Sequence, residues 1–345
     1  MPASIAHMLI AHKGLKQLQE SKDKDEASFA KDLDEKTGKE RYQAYMNLGS
    51  LGPDLYYFEN LAKGLTGMVA DGYVSAEGVT PWAYHLHSSK PNEFVLKLIQ
   101  IVFSDAEREG KKAIFDVDSR RKIAYIAGHL SHIAEDQIIH PLVNKIAGPY
   151  YTDGKHRELH REAEVYQDYF LYQEVYSSED KTTPTYKFFE QGFQNWPDCV
   201  VGLKNTEDWF RYFLQRGFIE TYGVGPDEDT IENSVDGVLV SLWFAKQMGP
   251  YKKADKEYRK QGVNGPRFQE YVGEPKYLEY YGQAVELTKV YMSALYKVYR
   301  LLADGKNFDE KRKKRFCEVV SGADLSCPLE EDILEKAKAE LAIGI

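Results

Sequence analysis

Apolar side chains recur every three to four residues through most of this chain, and the period-two alternation of half-buried strands is scarce. Residues 4–19 carry Ile5, Met8, Leu9, Leu15 and Leu18 at helical spacing and predict a first helix. The charged stretch over residues 21–40 reads instead as a loop or solvated connector. A short segment over 42–48 runs into Gly49-Ser50-Leu51-Gly52-Pro53-Asp54, whose glycines and proline predict a turn. Residues 55–65 follow, and an irregular stretch then extends to about Pro81. Periodicity predicts further helices over 92–109, 118–144, 156–176, 206–220, 229–248, 275–303, 308–320 and 329–342. No internal repeat is visible, and the fold class is all-α.

Composition narrows this only a little. A hydrophobic fraction of 43% over 345 residues supports a sizeable core, in one large domain or in a domain with an appended module. The formal charge of −9 argues mildly against a dedicated nucleic-acid binder. Bound metal would add positive charge at a site, so a phosphodiester substrate stays in play. Cys199, Cys317 and Cys327 form no Cys-x-x-Cys pair and imply neither a disulfide framework nor a cysteine zinc site. The first fifteen residues lack the basic and apolar regions of a secretion signal, and no stretch approaches the roughly 20 apolar residues of a membrane span. The expected home is cytoplasmic.

The candidate chemistry is concentrated in the N-terminal half. All nine histidines lie at or before His160. His132, Asp136 and His140 are four residues apart, and each such step drifts only about 40° around a helix. They therefore share one stripe about 12 Å long, whose ends one ion could not span but whose central Asp136 two ions could share. His160 and Glu164 repeat the four-residue step and can grip one ion from a single face, with His156 as the competing ligand. His7 and His12 on the first helix, Asp54 in the turn, and His85 or His87 in Trp82-Ala83-Tyr84-His85-Leu86-His87 complete the set. No His-Glu-x-x-His, no Glu-x-x-His and no His-Asp dipeptide occurs. These absences disfavour a thermolysin-like protease, a ferritin-like di-iron bundle and the helical His-Asp phosphohydrolases.

Five short motifs, taken in chain order, resemble the zinc-dependent phospholipase C family, which is related to bacterial phospholipases C and to nucleases of the S1/P1 type. They are Ala3-Ser4-Ile5-Ala6-His7, Leu48-Gly49-Ser50-Leu51-Gly52-Pro53-Asp54, Leu86-His87, the His132/Asp136/His140-Pro141 helix, and His160 with Glu164, within roughly residues 1–175. The resemblance implies a multi-helical phospholipase C/P1 nuclease-like bundle with two or three zinc ions at the bottom of a cleft. One zinc would take Asp54, His87, His132 and Asp136; a second would take His7 with the bridging Asp136; a third would take His140, His160 and Glu164. Two departures stand out. Secreted members begin with a tryptophan whose amine and carbonyl bind zinc, whereas no tryptophan precedes Trp82 here, which leaves Met1 or Pro2 as the terminal ligand. His140 follows Asp136 by four residues where the secreted enzymes have six, a spacing more like the glycosylphosphatidylinositol-specific phospholipase D.

The expected function is a zinc-dependent hydrolase of phosphate esters, a phospholipase C-like phosphodiesterase acting on a small-molecule or lipid phosphate ester. Asp54 is the expected catalytic residue, orienting or deprotonating a water. Tyr56 and Tyr57 are expected to line the cleft, and Asp168 to fix a ligand histidine. The alternatives are a single-strand nuclease, with Trp82 as its base-stacking slot, and a non-hydrolytic metal-binding protein. Residues 1–250 are expected to form the catalytic domain, and 251–345 a helical extension packed on it. Within the extension, Lys311-Arg312-Lys313-Lys314-Arg315 reads as the solvated face of a helix, with anionic lipid or nucleic acid as the other reading.

Overall fold

A helix that is apolar on nearly every side has to lie in the middle of a bundle. Helix α1 (Ser4–Gln19) is of that kind, with Ile5, Met8, Leu9, Ile10, Leu15 and Leu18 all buried. The computed structural model describes residues 4–34, 42–59, 81–109, 116–150, 154–176, 208–245, 250–273, 276–325 and 332–345. In chain order, α1 is followed by α2 (Lys24–Leu33), α3 (Tyr42–Ser50), a 3-10 turn (Pro53–Phe58), α4 (Pro81–Ser88), α5 (Pro91–Glu109) and α6 (Val117–Ala147). Next come α7 (Gly154–Phe170), prolonged by a π-helical turn (Leu171–Tyr176), then α8 (Asp208–Tyr222), α9 (Glu228–Ala245), α10 (Pro250–Gln261) and α11 (Pro266–Tyr271). The chain ends with α12 (Lys276–Ala303), α13 (Glu310–Val319) and α14 (Ile333–Ile343). No strand occurs among the described residues, so the protein is all-α.

Helices α1, α6 and α12 pack on one another at the centre. One apolar cluster runs from Ile5 through Ile133 to Leu295 and Ala337, so side chains from both ends of the chain share it. Helix α3 crosses α6 with the two backbones in contact. A methyl on Gly49 would fall 2.0 Å from the Tyr125 carbonyl oxygen, and one on Gly128 would fall 1.9 Å from that of Met46. Only hydrogen fits at either position. The close crossing carries Ser50 and the turn behind it against the middle of α6, which is where the candidate ligands lie.

The helices differ from the sequence expectation in a few places, each with a physical reason. Residues 24–33, expected as a solvated connector, form α2. The Asp23 side chain accepts the amides of Asp25 and Glu26, and Ala27, Phe29, Ala30 and Leu33 form a buried stripe that the surrounding charges mask. Residues 81–88 and 250–261 are helical although no helix was expected there, and each begins at a proline, whose fixed φ suits a first helical turn. Helix α6 runs through Pro141 to Ala147, past the expected end at 144, and stops at Gly148 with φ 83°. The expected contributions of Met1, Pro2, Cys199, Cys327 and residues 60–80 lie outside the described residues. Among the described residues no helix is long and apolar enough to cross a membrane.

Candidate metal centre

Five elements converge on one buried point. Helix α1 brings His7, the 3-10 turn brings Asp54, and α4 brings His87. The stripe of α6 brings His132, Asp136 and His140, and α7 brings His160 and Glu164. All are buried except His140, which is partly so. Three groups of ligand atoms result: His7, His132 and Asp136; Asp54, His87 and His132; and His140, His160 and Glu164. Within each group the atoms lie within 4.8 Å of one another.

Backbone carbonyls decide which imidazole nitrogen is left for chemistry. His132 Nδ1 donates to the Ser50 carbonyl at 2.9 Å, His87 Nδ1 to that of Ala83 at 2.7 Å, and His140 Nδ1 to that of Leu325 at 2.8 Å. A carbonyl oxygen only accepts, so each Nδ1 carries the proton and each Nε2 of the neutral ring presents a lone pair. Those lone pairs face more acceptors. His132 Nε2 lies 3.4 Å from His87 Nε2 and 3.1 Å from Asp136 Oδ2, while His87 Nε2 lies 3.2 Å from Asp54 Oδ1. Asp136 splits its oxygens along the stripe, with Oδ1 3.2 Å from His140 Nε2. His160 Nε2 sits 3.0 Å from Glu164 Oε1, and His140 Nε2 is 3.7 Å from the same oxygen.

Acceptors held against acceptors in a buried site are costly unless cations sit among them. Two kinds of cation answer here. In the metal-free protein they are protons. Burial opposes charge on His7 and His87, but the carboxylates of Glu135 and Asp54 raise the first, and Asp54 and Asp136 raise the second. His140 is pushed up to about 9 against burial by Asp136 and Glu164. The same pairing outweighs burial to hold Asp54 and Asp136 below the carboxylate range and Glu164 at about 2. The other kind of cation is a metal. Imidazole nitrogen and carboxylate oxygen are zinc donors, and the directed Nε2 lone pairs and the buried Asp136 Oδ2, which receives no hydrogen bond, fit such an ion.

The structure thus brings together His7, Asp54, His87, His132, Asp136, His140, His160 and Glu164. It separates the competing histidines from them. His85 stacks on Tyr222 at 5.0 Å, His12 bonds Asn47 at 3.0 Å, and the His156 ring packs against Gly148. His129 is buried beside Phe94, and burial together with the His132 and His87 charges lowers its pKa well below the usual value. Tyr57 reaches the site, with its ring 5.6 Å from that of His87, but Tyr56 is a core residue packed on Phe218. Asp168 does not fix a histidine. It accepts the amides of Ala6 at 2.8 Å and Ile5 at 3.3 Å and the Tyr251 hydroxyl, so it pins the first turn of α1, from which His7 projects.

Two features lay beyond sequence reasoning. Glu135 Oε2 lies 2.7 Å from His7 Nδ1 as an ion-pair contact, and the His7 ring also stacks on His132 at 4.1 Å. Tyr150 sets its edge on His160 at 4.9 Å and faces Tyr57 at 5.8 Å. Glu135 sits next to Asp136 in a run already full of ligand types, and nothing in its spacing separates it from them. With this geometry in view, a family model described as zinc dependent phospholipase C matches residues 6–215. Comparison with curated proteins and with solved structures gives no match.

Proposed function

The chain belongs to the zinc-dependent phospholipase C family, and from that premise we propose that it hydrolyses phosphodiesters, most concretely those of lipid or lipid-like phosphate esters. The observation that carries the reading is the set of Nε2 lone pairs, fixed by backbone carbonyls and facing carboxylate oxygens in a buried site. His7, Asp54, His87, His132, Asp136, His140, His160 and Glu164 are the proposed ligands, with Asp136 shared along its stripe. Zinc, when bound there, supplies Lewis-acid polarisation of a phosphoryl oxygen and acidifies a water.

The chain's own residues do the rest. Asp54, whose carboxyl stays ionised in this site, accepts a hydrogen bond from the attacking water and orients it. The carbonyl contacts at Nδ1 keep the imidazoles in place as charge builds on the phosphate. Tyr57 and Tyr150 form one wall beside His87 and His160. Arg161, which donates to the Tyr150 hydroxyl at 3.3 Å, adds a positive charge to that wall for an anionic ester. Trp82 is engaged in packing, edge-on to Phe218 at 5.7 Å, and this favours the ester reading over a base-stacking nuclease slot.

The test is turnover by purified protein of bis-p-nitrophenyl phosphate, p-nitrophenylphosphorylcholine and single-stranded DNA, with and without a zinc chelator. Chelator-sensitive hydrolysis of the esters, lost in Asp136→Ala, is the expected result. Preferential cleavage of DNA would move the assignment to a nuclease, and bound zinc with no hydrolysis of any of the three would move it to a non-hydrolytic metal protein.

A further inference from the structure

Residues 216–345 lie beyond the matched part of the chain, yet one short stretch of them touches the metal centre. After α13 the backbone over 320–325 is hydrogen-bonded in turn to α5, α6 and α4. Its last residue, Leu325, is buried and bonds two candidate ligands at once. The Leu325 amide donates to the His87 carbonyl at 2.8 Å, and the Leu325 carbonyl accepts His140 Nδ1 at 2.8 Å. The stretch is itself tied down upstream. Asn92 on α5 donates to the Val320 carbonyl at 2.9 Å, and Gln137 on α6 donates to that of Ser321 at 3.1 Å. The Tyr291 hydroxyl, from α12, donates to Gln137 Oε1 at 2.6 Å and accepts the Ser321 amide at 3.3 Å. Gly322 lies so close that a methyl there would fall 2.3 Å from Asn92 Oδ1.

We propose that residues 320–325 are a positioning strap for the metal centre, contributed by the C-terminal region and acting through His140. Resting on the zinc reading above, the strap holds the proton on His140 Nδ1, leaves Nε2 to the metal shared with His160 and Glu164, and ties that ligand to His87. A free neutral imidazole could place its proton on either nitrogen, and the wrong choice blocks the ligand atom. The carbonyls that accept Nδ1 of His132 and His87, those of Ser50 and Ala83, lie within the matched region, whereas the one that accepts Nδ1 of His140 lies beyond it.

The experiment releases the strap without touching a ligand. Zinc titrations compare the full-length protein with Asn92→Ala/Gln137→Ala and with Tyr291→Phe, and circular dichroism melts of the zinc-free proteins check folding. Expected is a loss of about 10- to 100-fold in affinity at one zinc site in the double variant, the others unchanged, and a smaller loss at the same site in Tyr291→Phe. On a His140→Ala background the strap substitutions should add nothing, whereas on a His7→Ala background they should keep their full effect. Equal weakening of every site, or an undiminished effect on the His140→Ala background, overturns the proposal. Nitrogen-correlated NMR of zinc-free protein separates this from the functional reading. A slowly exchanging His140 Nδ1 proton in the wild type, lost in the double variant, supports the strap even if no zinc binds; rapid exchange in the wild type refutes it.

Discussion

Helices α6 and α13 both crowd ionisable side chains together, with His132, Asp136 and His140 on one and Lys311 to Arg315 on the other. On α13 the charges stay near water and find carboxylates of their own neighbourhood: Arg312 meets Asp309 at 2.8 Å, Lys313 meets Glu310 at 2.6 Å, and Arg315 reaches Glu340 at 2.9 Å. Lys314 lies 4.0 Å from Glu318, so four of these five basic groups have a carboxylate beside them, and Lys311 is exposed to water. On α6 the groups are buried, His140 partly so, and the Nδ1 protons of His132 and His140 are donated to backbone carbonyls. What remains is acceptor against acceptor, which only a cation resolves. The density of charge is similar; the difference lies in burial and in which nitrogen is free.

The largest expected effect breaks the α6 side of that contrast. Asp136→Ala removes the carboxylate that faces His132, His87 and His140, and ester hydrolysis should fall on the order of 10³-fold or more, with zinc lost. Turnover and metal content of the purified variant check this. Next comes the crossing that presents the stripe: Gly128→Ala pushes a methyl into the Met46 carbonyl and should cost about 3 kcal/mol, read from urea unfolding of zinc-free protein.

Protons and zinc compete for the same lone pairs, so pH should separate the two regions as well. His140 has a folded-state pKa of about 9 against 6.5 for an unperturbed imidazole. Its stabilisation of metal-free protein is complete below 6.5 and is lost as pH rises through 9, a loss on the order of 3 kcal/mol. Asp168, raised to about 7 by burial, has a proton to lose before that and acts in the same direction. Zinc affinity has the opposite slope, because the ion needs Nε2 deprotonated. Melting temperatures from pH 6 to 9 should therefore fall without zinc, and the gap between zinc-loaded and zinc-free protein should widen. Smallest of all, Lys313→Ala on α13 should change stability by less than about 0.5 kcal/mol and leave zinc binding untouched, in the same melts and titrations.

The sequence made the α6 stripe readable because a four-residue step is at once a helical period and a ligand spacing. His160 with Glu164 was readable for the same reason. Asp54 and His87 could be named only from the order of motifs, since a turn aspartate and one of two alternate histidines carry no signal of their own. Glu135 and Tyr150 were not readable, because what selects them is the packing of α1 and α7 against α6. The Leu325 carbonyl is a backbone atom, and no residue type announces it. Helix α2 is hidden in the sequence because its buried stripe is short and embedded in charge. Asp168 follows Glu164 by one turn of α7 and so reads as a partner for a ligand histidine, but it accepts the Ile5 and Ala6 amides of the first turn of α1 instead.

The most direct measurement is the zinc content of protein purified without chelator, determined by elemental mass spectrometry on the wild type and on Asp136→Ala. Two or three zinc ions per chain, as three ligand groups allow, falling in the variant while the fold is retained, is the predicted result. Less than one zinc per wild-type chain after incubation with excess zinc, or a content unchanged by Asp136→Ala, would contradict the account.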